Sequence, residues 1–273
     1  MASRRRTGER KRHEQVEMLD KAGTRPRSRR GGKRRGAGRP PKGERAGSPH
    51  KRRLAFKASE PIHVVLRVAK AVGSLRRRKM YRALRGATFT TVRREDFRII
   101  HVSIQRTHVH LLVEAAHKTA LSRGMQGFQI SAAKLMNAEI VVDGVRRRGQ
   151  VFPDRYHAEI ITTPKQARHT LAYVLNNWRK HKEDRAEVAR GWMVDPFSTG
   201  VLFGGWKELE HSDFMWRWRE GYEPMLVWTP RTWLLREGWR RHGLIRCAEV
   251  PGPALPHGRA RLSRPAAAPH VAV

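Results

Sequence analysis

The sequence predicts an α+β fold in which helices pack on an antiparallel sheet. Three observations carry this. Short runs of β-branched and aliphatic residues recur at Ile62–Val68, Phe97–Gln105, His108–Glu114 and Tyr156–Ile161, each the length of a strand. The stretches between and after them space their apolar residues near a helical period. Only Arg106-Thr107 separates the second and third runs, so these two form a hairpin. The resulting order is β-α-β-β-α-β-α.

Each element has its own signal. Ile62 to Val68 (IHVVLRV) is the first strand. Leu75 to Leu84 is a short basic helix with Leu75, Met80 and Leu84 as its apolar positions. After the hairpin, Thr119 to Ile140 reads as a long helix. Leu121, Met125, Phe128, Ala132, Leu135 and Met136 fall on one stripe of it. Gly144 to Gly149 is a basic turn, and Tyr156 to Ile161 is the fourth strand. The last helix has a capped start. Thr163 is a good N-cap, Pro164 suits the first helical position, and Gln166 completes a capping box. It is expected to run to about Lys182.

The charge is lopsided. Of 273 residues, 58 are Lys or Arg and 24 are Asp or Glu, a formal +34. Such an excess calls for a polyanionic partner and fits acidic or neutral ligands poorly. Residues 1–53 hold 20 of the basic residues and 5 of the acidic ones, with no apolar periodicity. That segment is expected to be disordered. Within it, Gly38-Arg39-Pro40-Pro41-Lys42 resembles an AT-hook, an extended Arg-Pro element that lies in a narrow minor groove. The alternative is a generic basic tail that binds any phosphate backbone by counterion release. Residues 251–273 form a Pro/Ala/Arg tail, also expected to be disordered.

One cysteine, Cys247, excludes a disulfide framework and every Cys-based zinc site. No run of some 18 apolar residues exists, so no membrane span is expected. A cytoplasmic, nucleoid-associated protein is the expectation. The region 186–250 is rich in tryptophan (Trp192, Trp206, Trp216, Trp218, Trp228, Trp233 and Trp239). It reads as an extension packed on the domain 54–185 through its aromatic rings. Base stacking on single-stranded nucleic acid is the alternative.

Two spacings point to chemistry. His108-Val109-His110 opens a strand, so both imidazoles face one way and Val109 faces the core. Paired imidazoles on a rigid strand suit a divalent metal. On the capped helix, Tyr173 and Asn177 lie one turn apart, with His169 and His181 extending the stripe. A tyrosine can act as a nucleophile, and an asparagine can offer its carbonyl oxygen to a metal.

These residues and their order carry a resemblance. RTHVHLLVE (Arg106–Glu114), GQVFPDRYH (Gly149–His157) and YVLNN (Tyr173–Asn177) resemble the HUH-type single-tyrosine transposases of small insertion sequences. IHVVLRV is similar to that family's first strand. The subgroup it looks most like is the REP-associated tyrosine transposases. The resemblance covers about residues 54–185 and implies a ferredoxin-like or RRM-like HUH domain. It implies that Tyr173 attacks single-stranded hairpin DNA and forms a 5′-phosphotyrosine. It also implies that His108, His110 and Asn177 hold Mg²⁺ or Mn²⁺. Many members have Gln where this chain has the shorter Asn177. A homodimer or a monomer is compatible with the family. Candidate DNA contacts are Arg76, Arg77, Arg78 and Lys79 on the first helix, Arg146, Arg147 and Arg148 in the basic turn, and Arg39 in the tail. The rival reading is an inactive protein of the same fold that binds DNA or RNA hairpins without cutting them.

Overall fold

Four strands form one antiparallel sheet in a computed structural model that describes residues 55–189, 191–211 and 221–252. They are β1 (Ile62–Arg67), β2 (Phe97–Ile104), β3 (His108–Ala115) and β6 (His157–Ile160), in the order β2-β3-β1-β6. That order and the element sequence around it are those expected of a ferredoxin-like fold. The expectations for residues 1–53, including Arg39, lie outside the described residues. So do those for the tail beyond residue 252, and for Trp216 and Trp218.

The two faces of the sheet carry two cores. Strand alternation sends Ile62, Val64 and Leu66 of β1 and Val109, Leu111 and Val113 of β3 to the first. There they meet two helices, α1 (Arg78–Phe89) and α2 (Lys118–Glu139). Helix α2 starts at His117, whose side chain accepts a hydrogen bond from the Ala120 amide. It crosses Phe97 so closely that a Cβ on Gly124 would lie 2.2 Å from the Phe97 ring. Only glycine fits that crossing without a shift.

The second face takes Leu112 of β3 and Ile100 of β2. Ile100 reaches it because β2 bulges: Ile99 pairs with Val113, and His101 with the very next partner residue, Leu112. Helix α3 (Pro164–Leu175) covers this face with Ala167, Leu171, Ala172 and Leu175. Its cap resembles the expected box with one difference. Thr163 Oγ1 accepts from the Gln166 amide, but the Gln166 side chain reaches back to Thr162 instead of Thr163.

The tryptophan-rich region completes the second core. Trp206 and Trp239 are fully buried in it, and Trp206 Nε1 donates to the Gly200 carbonyl at 2.8 Å. The same region covers the open edge of β2. The Ile104 amide donates to Phe197 O, and the Trp228 amide to Ile99 O. An edge strand that would otherwise expose unpaired backbone groups is thereby closed. Glu114, at the far end of β3, ties the region down. Its carboxylate accepts from the Arg231 and Thr232 amides, the Thr232 hydroxyl and the Arg98 guanidinium. Thr232 is the N-cap of the short helix α5 (Trp233–Arg236).

Two local expectations are corrected. In place of a plain basic turn over 144–149, strands β4 (Val141–Val142) and β5 (Val145–Arg146) form a small hairpin. Asp143 and Gly144 both have positive φ at its tip, as a type I′ turn requires. The last helix does not run unbroken to Lys182. It stops at Leu175, and Asn176 leaves helical geometry at φ −105°, ψ 13°. A short helix α4 (Asn177–Lys180) follows. The Asn176 side chain donates to Arg246 O, so the extension holds the break in place.

His101 makes the fold sensitive to acid. It is buried in β2 against Thr199, with its Nδ1 3.0 Å from the Thr199 hydroxyl. Burial pushes it from the ordinary 6.5 down to about 4. The unfolded chain therefore takes up a proton at higher pH than the folded one. His101 costs nothing above about pH 7, and its penalty grows as pH falls from 6.5 to 4. Over that window the loss is about 3 kcal/mol. Urea unfolding of wild type and His101→Gln at pH 7 and pH 4 reads it. Wild type is expected to lose about 3 kcal/mol more than the variant, whereas equal losses would contradict the assignment.

Candidate active site

Alternation along β3 sets the site. Val109 enters the first core, while His108 and His110 face the other way, with ring centroids 4.8 Å apart. Tyr173 of α3 lies over this face, its ring edge-on to His110 at 5.4 Å. Farther along the chain, His181 meets His108 at 5.3 Å. Asn177 stands between Tyr173 and His181 in sequence and is fully buried. Lys180 sets its Nζ 4.7 Å from the centre of the Tyr173 ring.

The imidazoles are neutral at neutral pH. Burial first, then His181 and Arg67, push His108 down to about 4. Burial first, then neighbouring positive charge, holds His110 well below its ordinary value. Neutral imidazole is the form that ligates metals. Tyr173 is a neutral phenol, because burial and the Glu159 carboxylate hold it above its ordinary value.

His108 and His110 offer two neutral imidazoles, a donor pair suited to a divalent metal. Among the described residues, no group of three or more His, Cys, Asp or Glu is placed to hold one. A metal on His108 and His110 therefore needs a third ligand of another kind. His110 Nε2 is buried with no hydrogen-bond partner, and so are both amide atoms of Asn177. Buried polar atoms are seldom left without a partner. An imidazole nitrogen and an amide oxygen without partners are the donors a metal would use.

Two of the expected neighbours part company. His181 joins the site, but His169 lies among Arg168, Lys165, Glu249 and His242. One residue joins that sequence reasoning missed. His63 of β1 is buried, with its Nε2 3.0 Å from His110 Nδ1. Its ring is nearly coplanar with that of His110 and lies edge-on to Tyr173 at 5.8 Å. Glu159 of β6 pairs directly across from His63. In the sequence, His63 is one residue of a β-branched run, and nothing local marks it.

The basic residues divide into free and committed ones. Arg76 is committed: its guanidinium makes a bidentate pair with buried Asp195 at 2.8 and 2.9 Å and donates to Ile104 O. Its side chain is 8% exposed and is not available to a phosphate. Arg147 is committed too, to Asn137, Gly149 O and Gln150 O, so it staples the hairpin. Arg77, Lys79, Arg146 and Arg148 are exposed, as is Arg78, which donates to Gly221 O at 3.4 Å. An open cavity of about 450 Å³ also gathers Arg168, Lys207, Arg240 and Arg246 beside Glu210 and Glu249.

The site thus sets a helix-borne tyrosine over a strand-borne pair of neutral imidazoles. Residues 58–177 match the family model described as Transposase IS200 like. Among solved structures, a REP-associated tyrosine transposase bound to a REP hairpin is similar to this chain. The likeness has 17% identity and a TM-score of 0.45, over 68% of this chain and 93% of that one. No curated protein matches the chain. Among the described residues, no helix is long and apolar enough to cross a membrane.

Proposed function

We propose that the protein cuts and rejoins single-stranded hairpin DNA, with Tyr173 as the nucleophile. One observation carries this reading: the Tyr173 ring lies edge-on to His110, which lies beside His108 on the same strand, both imidazoles neutral. The phenol oxygen attacks phosphorus in line, and the P–O3′ bond breaks as the P–O bond to tyrosine forms. The phenol gives up its proton and the departing 3′ oxygen gains one, so the step is proton-neutral. The DNA is left joined through its 5′ phosphate, with a free 3′-OH. A 3′-OH attacking the phosphotyrosine reverses the chemistry and restores a phosphodiester without ATP. Lys180 places positive charge over the face of the Tyr173 ring. Mg²⁺ or Mn²⁺ on His108, His110 and Asn177 would supply Lewis-acid polarisation of the scissile phosphate.

The exposed cations suit the strand. Arg77, Arg78 and Lys79 crowd the start of α1, with no acidic residue in its first turn. Positive charge there opposes the helix dipole. A bound phosphate backbone would relieve that repulsion, and Arg146 and Arg148 would extend the track.

A labelled DNA hairpin incubated with Mn²⁺ tests the reading. A covalent protein–DNA adduct and a free 3′-OH fragment are expected, and EDTA should prevent both. His108→Ala should lower adduct formation by about 10²-fold or more while hairpin binding persists. Hairpin binding with no cutting in Mg²⁺ or Mn²⁺ would overturn the reading in favour of an inactive binding protein. Preference for RNA over DNA hairpins at matched salt would overturn the choice of substrate.

A further inference from the structure

His63 lies behind His110, with its ring edge-on to Tyr173 at 5.8 Å. Three observations converge on it. Its Nε2 is 3.0 Å from His110 Nδ1, and the two rings are nearly coplanar, 13° apart. Its Nδ1 faces the Glu159 carboxylate at 3.8 Å. His110 Nε2, the far nitrogen of the second ring, is buried with no partner. The sheet produces this arrangement. His63 pairs with Leu112, so it is the diagonal neighbour of His110 on the same face. Glu159 is directly opposite on β6.

Resting on the metal reading above, we propose that His63 is a positioning residue. Backed by Glu159, it fixes His110 as the Nδ1–H tautomer and turns its Nε2 lone pair toward the metal. Two imidazoles meeting nitrogen to nitrogen at 3.0 Å share one proton, so one ring donates. A carboxylate beside His63 Nδ1 favours the proton there, which leaves His63 Nε2 as the acceptor. His110 then donates from Nδ1, and its Nε2 carries the lone pair. The reverse arrangement aims a lone pair of His63 at a carboxylate. It also buries an N–H at His110 Nε2 with nothing to accept it. Only the first arrangement leaves a ligand. It is a carboxylate–histidine chain behind a ligating histidine, here with a second imidazole interposed.

Two measurements on the full chain test this, and neither reads activity. Imidazole ¹⁵N NMR of the metal-free protein reads the tautomer, with the His110 signals assigned by their loss in His110→Asn. The Nδ1–H form is expected, and the Nε2–H form would overturn the proposal. Electron paramagnetic resonance of Mn²⁺ reads affinity. His63→Ala should weaken it about 10- to 100-fold, while His63→Gln, whose Oε1 can accept the same N–H, should stay within about 3-fold of wild type. His63→Ala binding as tightly as wild type would overturn the proposal. Should His63→Ala fail to fold, the wild-type tautomer and His63→Gln still decide. A wild-type protein that takes up no Mn²⁺ would overturn the metal reading, and the NMR result then judges His63 by itself.

Discussion

Tyr173→Phe should fold, bind hairpin DNA and form no adduct. The substitution removes one oxygen. It keeps the ring that packs edge-on against His63 and His110 and lies under Lys180. Those contacts are made by the ring, so the helix and the sheet face stay in place. The phenol oxygen is the only atom of this side chain able to form the bond to phosphorus. Single-turnover cutting is therefore expected to fall by about 10⁴-fold or more, the scale seen when a covalent nucleophile is deleted. Hairpin affinity should change by less than about 3-fold, because the proposed backbone contacts lie on the basic surfaces and not on this oxygen. Adduct formation at an appreciable fraction of the wild-type rate would mean that another residue attacks.

Glu114→Ala should be the most damaging single change to the fold. The carboxylate is fully buried and holds two backbone amides, a hydroxyl and the Arg98 guanidinium. Removing it leaves Arg98, itself 12% exposed, without its partner, and strips the chain just before α5 of its acceptors. Breaking a buried pair from one side costs about 3–5 kcal/mol. For a domain of this size the melting temperature should drop by roughly 10 °C or more. Thermal and urea unfolding read this directly. A loss of less than about 1 kcal/mol would show that the extension is held by its aromatic core alone. Glu114→Gln keeps the shape and should fall between the two.

The strand β3 shows how much was legible. Its even positions carry, in order, two site histidines, a core leucine and the clamping glutamate, and its odd positions enter the first core. Period-two alternation makes the facing of His108 and His110 readable from sequence. It says nothing of which strand lies alongside, because register is a tertiary property. His63 was hidden for that reason: its meeting with His110 depends on β1 pairing with β3 in one register. The same limit applies to Arg76. In sequence it belongs to a basic run, and only the distant Asp195 removes it from the exposed set.

Local chemistry that was present but outweighed accounts for two other differences. Asp143-Gly144 between valines is a hairpin signal, yet the arginines that follow make the segment read as a turn. The capped helix keeps its helical pattern past Asn176, and no Gly or Pro marks the break. What ends it is a hydrogen bond to Arg246, seventy residues away. The tryptophans were readable as buried mass, and Trp206 and Trp239 fill the second core. Their exact partners required the fold.

The most direct measurement is to locate the covalent bond. Wild-type protein is trapped on a hairpin oligonucleotide in Mn²⁺, digested with protease and nuclease, and the nucleotide-bearing peptide is sequenced by mass spectrometry. The expected peptide contains Tyr173, with the added mass on its side chain as a 5′-linked phosphate. The added mass on any other residue, or DNA cut with no covalent intermediate, would contradict Tyr173 as the nucleophile.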